Sequence, residues 1–413
     1  MIDTQMPEVK QLLQNLTSRI PKALPAEERH HFISKDIINN LSDEERSSLK
    51  GFFDTSLNLM RKLGASDIDL GGWGAKDRIW FRIQGVKTPV EELGEYSVEQ
   101  TDTIIQSILS EKQRDFLIEN KSLDISYHYR GEHGSINRQR ATCYLDMGAI
   151  ALNMRAISTE IRPYSSFGFH ANVARFHSLV HTKEGLVLVT GLTGSGKSST
   201  LDAIVDLNNQ SIDAHIIIIA SPVEFVHSSR RCIIRHREVG RDTMSFKHGT
   251  IEALRQDPDI IVIGEMRDAE TIMSALEVAD SGHKVLSTLH TSSAIESIDR
   301  IIGEVPVLEQ DRVRNRLGDV LRCVISQKLV PGKDGKRVLA KEIMLMASNI
   351  RAAIKNNNTG EIYQMMREGV KYGMTTMEQD LKRLVTTKKI SKEVAMNYSN
   401  NKKMMKQLLQ SMV

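Results

Sequence analysis

The chain has 413 residues, of which 40% are hydrophobic and 26% charged, a mixture typical of a globular protein with two or three domains. Lysine and arginine number 55 against 52 acidic residues, so the net charge of +3 provides no general field for nucleic acid or an anionic membrane. Three dispersed cysteines, Cys143, Cys232 and Cys323, predict neither a disulfide framework nor a four-cysteine zinc site.

The sequence gives no sign of membrane insertion or export. No window approaches the roughly 18 consecutive apolar residues of a spanning helix, and the first residues lack the basic-then-apolar order of a secretion signal. We therefore expect a cytoplasmic protein without a membrane span.

The first part of the chain predicts a helical extension followed by a small α+β domain. Residues 1–50 are polar and have a helical pattern. Apolar residues at helical spacing predict a helix from Ser42 to about Leu63. Five segments of strand character follow, the fourth of which starts at Gly134, with a helical stretch inserted among them. The predicted boundaries are 1–50 for the extension and 51–160 for the small domain.

After a linker over residues 161–180, strands, loops and helices alternate. Four apolar runs, GLVLVT, HIIIIA, DIIVIG and KVLSTL, are separated by helical stretches. Continuous apolar runs of this length indicate a parallel sheet covered by helices on both faces. This α/β core is predicted over residues 181–345. Residues 346–413 predict a helical, Met-rich and basic region, either a solvated cap with methionines in its core or a binding surface.

A phosphate-binding loop is the strongest chemical signal. The segment GLTGSGKS matches G-x-x-x-x-G-K-[ST] and stands between an apolar strand and a helix. In such a loop the backbone N–H groups surround phosphate oxygens, Lys197 neutralises the β and γ charges, and Ser198 ligates Mg²⁺. The alternative is a glycine-rich turn without a ligand. The residues predicted to bind nucleotide are Gly191, Gly194, Ser195, Gly196, Lys197, Ser198 and Ser199.

Two carboxylates and a histidine follow the other apolar strands. Glu265 ends the run DIIVIGE, which predicts that it polarises the attacking water and lies at the metal; a salt bridge to Arg267 is the structural alternative. Glu224, in SPVEF, can reach the same metal through water. His290 follows the strand KVLSTL at the ligand side of such sheets. His283, which precedes that strand, is a weaker candidate.

Arginines complete the predicted set of charges. Arg241 lies in REVGRDT, and Arg140 and Arg155 lie near the end of the small domain. Scattered arginines usually form salt bridges or face solvent. In ring-forming P-loop ATPases, however, an arginine from a neighbouring subunit can stabilise the transition state by roughly 10³ to 10⁵ in rate.

The blocks GLTGSGKSST, SPVEFVH, REVGRDTMSF, DPDIIVIGEMRDAETI and ADSGHKVLSTLHTSS resemble, in order and spacing, the secretion ATPase superfamily, and most of all the PilT-type pilus retraction ATPases. The resemblance covers about Ala65 to Val394. It implies a RecA-like P-loop ATPase core preceded by a PAS-like domain, a hexameric ring, and ATP and Mg²⁺ bound between the two domains. Glu224 becomes the Asp-box acid, Glu265 the catalytic glutamate and His290 the phosphate-sensing histidine.

Some positions depart from the family pattern. Ala220 and Ser221 stand before Pro222 where the family has Glu-Asp. The retraction motif AIRNLIRE is matched only in part, around Arg351. An arginine of the small domain is replaced by Gly148, and residues 1–50 have no counterpart.

Two functions therefore stay open. One is a hexameric ATP-hydrolysing motor that drives pilus retraction and twitching motility; the other is a weakly hydrolysing accessory or scaffold subunit of the same machine. The resemblance implies an inner-membrane platform protein and other pilus ATPases as partners, and a position at the inner face of the cytoplasmic membrane. A DNA-translocating motor is disfavoured by the charge balance and by the family blocks.

Overall fold

Two β-sheets, each combined with helices, organise the chain into two units, Met1–Thr159 and Glu160–Val413. The computed structural model describes residues 2–131, 136–157 and 160–411. This confirms a mixed α/β protein. The predicted strand start at Gly134 lies outside the described residues.

The elements of the first unit follow the predicted order of helices, then strands with inserted helices. They are α1 Ile2–Thr17, α2 Ala26–Phe32, α3 Asp43–Lys62, β1 Ala65–Gly71, β2 Trp80–Ile83, β3 Val86–Pro89, α4 Val98–Ser107, α5 Glu111–Asn120, β4 Ser122–Arg130, β5 Ile136–Asp146 and β6 Ala149–Ala156.

The sheet of the first unit has six antiparallel strands in the order β3-β2-β1-β6-β5-β4. The predicted helix from Ser42 is confirmed as α3. Ser42 accepts a hydrogen bond from the Glu45 backbone N–H, and the Glu45 carboxylate accepts one from the Ser42 N–H, so a capping box fixes the start of the helix.

Helices from the first 50 residues share the hydrophobic core of this sheet. Leu13 and Leu16 of α1 are fully buried in one cluster with residues of α3 and the strands. Ile33 and Ile37, which directly follow α2, are buried in the same cluster. Residues 1–50 therefore contribute to the packing of the first unit.

The second unit begins with a helix and then alternates strands with helices. Its elements are α6 Ala171–His177, β7 Gly185–Thr190, α7 Lys197–Ser211, β8 His215–Ala220, β9 Ile233–Glu238, α8 Phe246–Ala253, β10 Ile260–Ile263, α9 Ala269–Asp280, β11 Lys284–Leu289, α10 Ala294–Gly303, α11 Val307–Val320, β12 Leu321–Pro331, β13 Arg337–Leu345, α12 Ser348–Lys355, α13 Ile362–Glu368, α14 Met377–Thr386, α15 Lys392–Tyr398 and α16 Lys402–Gln410.

The seven strands of the second unit are ordered β13-β12-β7-β11-β10-β8-β9. All neighbours pair in parallel except β12 and β13, which form an antiparallel hairpin at one edge. The four predicted apolar runs are β7, β8, β10 and β11, and their parallel pairing is confirmed. Because these four neighbouring strands are parallel, the loops that follow them all lie along the carboxyl-terminal edge of the sheet.

The last three helices share a hydrophobic core with the hairpin β12–β13. Met377 and Met405 are fully buried there against Val330 of β12 and Ala340 of β13. This confirms methionine as a core residue of the C-terminal region. Cys143, Cys232 and Cys323 are buried and unbridged. Within the described ranges, no helix combines the length and the apolar character needed to span a membrane.

The packing of α1 predicts a specific stability effect. Leu13→Ala should destabilise the first unit by about 2 to 5 kcal/mol, because it removes a fully buried side chain and leaves a cavity. Leu63→Ala, at a side chain that is 41% exposed, should change stability by about 0.5 kcal/mol or less. Thermal unfolding of the full-length variants measures both. Equal shifts in the two variants would contradict a structural role for the first helix.

Candidate active site

The loop after β7 has the backbone geometry of an anion cradle. Gly191, Gly194 and Gly196 have φ angles of +150°, +77° and +88°. A Cβ at position 191 would lie 2.4 Å from the Ser195 Oγ and 2.5 Å from the Gln327 carbonyl oxygen, so only glycine fits there.

Helix α7 starts directly after this loop, with Gly196 as its N-cap and no side-chain cap. Its first backbone N–H groups are therefore left for a ligand, and the helix dipole adds positive potential. Ser198 in the first turn is half-buried and Ser199 is exposed. The Ser195 Oγ is buried, and no hydrogen bond reaches it within the described residues. These features fit a phosphate group.

Lys197 folds back over the loop. Its Nζ donates hydrogen bonds to the Gly191 carbonyl oxygen at 2.9 Å and to the Leu192 carbonyl oxygen at 3.4 Å. Burial lowers the pKa of Lys197, whereas the charges of Glu265 and Glu224 act in the opposite direction. Both predicted carboxylates thus lie close enough to Lys197 to act on its charge.

Glu265 stands between two partners at the end of β10. Its Oε1 is 3.2 Å from the His290 Nε2, and its Oε2 is 2.7 Å from the Arg267 Nε. The salt bridge to Arg267, which was the structural alternative, therefore exists together with the contact to His290. The Glu265 side chain is only 18% exposed, whereas those of Arg267 and His290 are 65% and 37% exposed, so the carboxylate is largely buried and its partners face solvent.

His290 is positioned by the end of β11. Burial lowers its pKa, and the charge of Lys197 acts in the same direction, while Glu265 raises it. The net lowering of the pKa favours a neutral imidazole near neutral pH. His283 lies before β11, at the opposite edge of the sheet, where its Nδ1 is 2.9 Å from the Ser281 Oγ.

The order of the strands explains why these side chains meet. The phosphate loop follows β7, His290 follows β11, Glu265 follows β10, and Glu224 follows β8. These are four consecutive neighbours in a parallel sheet. Their carboxyl ends therefore place one basic, one imidazole and two acidic groups side by side.

The three predicted arginines belong to other strands. Arg241 follows β9, four strand positions from β7, which is roughly 19 Å at the usual spacing of strands. It forms an ion pair with Asp242, with 3.0 Å between Nη2 and Oδ2. Arg140 and Arg155 belong to the first unit, where they oppose each other on β5 and β6. The Arg155 Nε donates to the Asp67 carboxylate at 2.8 Å.

Two hydrogen-bonded connections around the loop were not predicted. The Gln327 amide donates to the Ser195 carbonyl oxygen and accepts from the Thr200 hydroxyl, each at 2.9 Å. These two bonds connect β12 to the phosphate loop and to the first turn of α7. Gln327 is too distant along the chain for any local pattern to indicate this role.

The second connection joins the phosphate helix to the segment after β8. The His227 Nε2 lies 3.1 Å from the Asp202 Oδ1. Burial raises the pKa of Asp202, whereas the hydrogen bond from His227 lowers it. His227 stands three residues after Glu224, so this contact fixes the segment that carries the carboxylate. Its place in the block SPVEFVH is the one sequence signal that could have indicated it.

The described residues contain no group of three or more His, Cys, Asp or Glu side chains arranged to hold a metal ion. Ser198 and Glu265, the predicted metal ligands, lie at the same sheet edge. A hydroxyl and a carboxylate are oxygen ligands of the kind that Mg²⁺ takes together with substrate phosphates. The residues present therefore fit a magnesium ion that arrives with a nucleotide.

Residues 42–412 match the protein family described as type II/IV secretion system protein. The chain belongs to this family. The type IV pilus retraction ATPase PilT of Pseudomonas aeruginosa is 38% identical over 335 residues, which cover 81% of this chain and 94% of that protein. A twitching motility protein of Neisseria gonorrhoeae is 36% identical over 314 residues, which cover 76% and 82%.

A solved structure extends the similarity to the fold. The crystal structure of the pilus retraction motor PilT with bound ADP matches with a TM-score of 0.77 and 37% identity, over 86% of this chain and 98% of that chain. The predicted resemblance to PilT-like secretion ATPases is therefore confirmed.

Proposed function

We propose that this protein is a hexameric ATP-hydrolysing motor that drives retraction of a type IV pilus. One observation carries the proposal: a glycine-rich phosphate loop with Lys197 lies beside Glu265 and His290 on three adjacent parallel strands. The family match and the PilT relatives support the same reading. The solved relative with bound ADP supports a nucleotide as the ligand.

The proposed architecture has five parts. Residues 181–345 form a RecA-like P-loop ATPase core, and residues 51–160 a PAS-like domain. The parallel sheet of the second unit and the antiparallel sheet of the first support this division. The helical extension 1–50, the linker 161–180 and the C-terminal helical region 346–413 complete the chain.

In the proposed site, the phosphates of ATP lie against the loop amides and the start of α7. Lys197 exchanges its bonds with the Gly191 and Leu192 carbonyl oxygens for the β and γ phosphates. Ser198 and Glu265 would hold Mg²⁺, which would neutralise charge on the phosphate oxygens. Ser195 can donate its unpartnered hydroxyl to the same anion.

Glu265 is proposed as the group that orients the attacking water. A carboxylate shielded from bulk solvent and held by His290 and Arg267 has a fixed position, which is what proton acceptance from a water requires. A neutral His290 can donate a hydrogen bond to Glu265 or to the γ phosphate. Its choice of acceptor can therefore depend on whether the γ phosphate is present. Glu224 is proposed to act on the metal through water.

The altered Asp box supports the second candidate, a weakly hydrolysing accessory subunit. Ala220 and Ser221 cannot supply the two acids that the family places there. Arg351, in the partial retraction motif, donates to the Gly318 carbonyl oxygen at 3.1 Å and so has a packing role. Steady-state phosphate release from the purified protein separates the two candidates, since the accessory subunit predicts almost none. DNA-stimulated turnover would point instead to a translocating motor.

The proposed partners are the inner-membrane platform protein of the pilus and other pilus ATPases, at the cytoplasmic face of the membrane. The decisive experiment is pilus retraction in a strain that lacks the gene, complemented with the wild-type or the Lys197→Ala protein. Retraction restored by the wild type alone supports the motor. Retraction restored equally by both would overturn it.

Lys197→Ala should reduce ATP turnover to below about a tenth of wild type, because such electrostatic donors contribute several kcal/mol to transition-state stabilisation. Phosphate release measures the effect. Lys183→Ala, at an exposed lysine before β7, is the matched control and should keep wild-type turnover. Substantial turnover in Lys197→Ala would show that the loop does not bind the reacting phosphates.

Glu265→Gln should lower kcat by about 10² to 10⁴ while nucleotide affinity stays near wild type, because the amide keeps the shape and an oxygen for Mg²⁺ but cannot accept the water proton. Arg267→Ala is the control for the salt bridge. If Glu265 served only that bridge, both variants would lose the same activity. Single-turnover hydrolysis and binding of a fluorescent nucleotide measure the two quantities separately.

If neighbouring subunits share the site, Arg140 or Arg155 must act on the phosphates that the next subunit binds. The Arg140→Ala, Arg155→Ala double variant should then be inactive alone, because the γ phosphate loses transition-state charge stabilisation. Mixing it with Lys197→Ala should restore partial turnover, since some interfaces pair an intact arginine donor with an intact loop. Co-purification verifies mixed rings. Mixed rings without restored turnover would assign the arginines to their own subunit.

A further inference from the structure

Glu342 of β13 is a buried carboxylate that accepts hydrogen bonds from two backbone N–H groups. Its Oε1 accepts a hydrogen bond from the Ala294 backbone N–H at 2.8 Å, and its Oε2 accepts one from the Met377 N–H at 3.3 Å. Ala294 and Met377 are the first residues of α10 and α14. One side chain thus caps the N-termini of two helices that are distant in sequence.

Helix α10 begins directly after the loop that carries His290. The Ser293 side chain accepts a hydrogen bond from the N–H of Glu296, the third residue of the helix. Glu342 accepts from a different donor, the N–H of the first residue, Ala294. The Ser292 N–H donates to the Glu296 carboxylate at 2.7 Å. The loop from His290 to Ala294 is therefore fixed by hydrogen bonds. One of its partners, Glu342, is also hydrogen-bonded to the start of α14.

A second contact joins the same loop to the C-terminal helices. The Asn400 side-chain amide donates to the Ser292 carbonyl oxygen at 3.1 Å. The Asn400 Oδ1 accepts from the Lys328 Nζ at 2.6 Å, and Lys328 also donates to the Tyr398 carbonyl oxygen at 2.7 Å. Asn400 lies between α15 and α16, so it connects the loop to the far end of that bundle.

The bundle α14–α16 packs on the hairpin β12–β13. Their shared apolar core, which includes Val330 of β12 and Ala340 of β13, is separate from the main core of the second unit. Burial raises the pKa of Glu342 to about 7, which shows that burying this carboxylate is costly. An apolar residue would avoid this cost but would leave the Ala294 and Met377 N–H groups without their acceptor. The carboxylate is therefore explained by the two helix starts that it joins.

We propose that Glu342 and Asn400 are positioning residues that couple the His290 loop to the C-terminal bundle α14–α16. His290 contacts Glu265, so a change of nucleotide at the phosphate loop shifts the loop from His290 to Ala294, and the bundle follows. Coupling of this kind is reciprocal: a partner that binds the bundle also changes the position of His290. The proposal rests on the proposed ATPase function.

Hydrogen exchange of the full-length protein tests the coupling, with and without ADP or a non-hydrolysable ATP analogue. In wild type, nucleotide should change protection both at Gly191–Ser199 and in α14–α16. Asn400→Ala should keep the change at the phosphate loop and weaken it in the bundle, where Glu342 remains as the other connection. Asn397→Ala, at an exposed asparagine of α15, is the matched control and should behave as wild type.

Kinetics give the second measurement. Glu342→Gln and Asn400→Ala should lower kcat about tenfold while KM for ATP stays nearly unchanged, because a displaced His290 affects chemistry more than binding. If Glu342→Gln does not fold, Asn400→Ala carries the test alone, since its side chain is exposed. Wild-type kcat and exchange in Asn400→Ala would overturn the coupling, and so would a wild-type bundle that does not respond to nucleotide.

The two proposals can fail separately. A wild-type protein that binds nucleotide without hydrolysing it would contradict the motor. The exchange measurement would still decide the coupling, because it requires only that nucleotide binds. A response of the bundle that depends on Asn400 would support it, and an independent response would overturn it.

Discussion

Parallel pairing of β7, β11, β10 and β8 is the constraint on which the site depends. Each strand ends at the same edge of the sheet, and each is followed by a loop with one chemical group: Lys197, His290, Glu265 or Glu224. The mutual electrostatic effects on Lys197 and His290 follow from this order. A group one strand further out, such as Arg241, finds a local partner instead.

Buried polar contacts fix the loops that leave this edge. Gln327 holds the phosphate loop from β12, and Glu342 holds the start of α10 from β13. In both cases the antiparallel hairpin β12–β13 reaches a loop that follows a parallel strand. Since hydrogen bonds in a low-dielectric interior are strong when satisfied, these contacts keep each loop attached to the hairpin. The hairpin is thus a support for the site as well as an edge of the sheet.

Local patterns explain what could be predicted from the sequence. The glycine-rich motif, the apolar runs of β7, β8, β10 and β11, and the Ser42 cap of α3 are each encoded within a few neighbouring residues. The order of the strands, the hairpin β12–β13 and the roles of Gln327 and Glu342 depend on residues far apart in the chain. Such contacts arise from tertiary packing, which local periodicity does not encode.

Packing also brings together two segments that are distant in the sequence, helix α2 and the β5–β6 turn. The carbonyl oxygen of Gly148 accepts hydrogen bonds from Arg29 and lies 3.1 Å from the His30 Nε2, both in α2. Gly148 has a φ of +78°, and a Cβ there would lie 2.9 Å from the Cβ of Ala26. An arginine at this position would therefore collide with α2. Helix α2 therefore docks on the β5–β6 turn at a residue without a side chain, and the carbonyl oxygen of that residue serves as its hydrogen-bond acceptor.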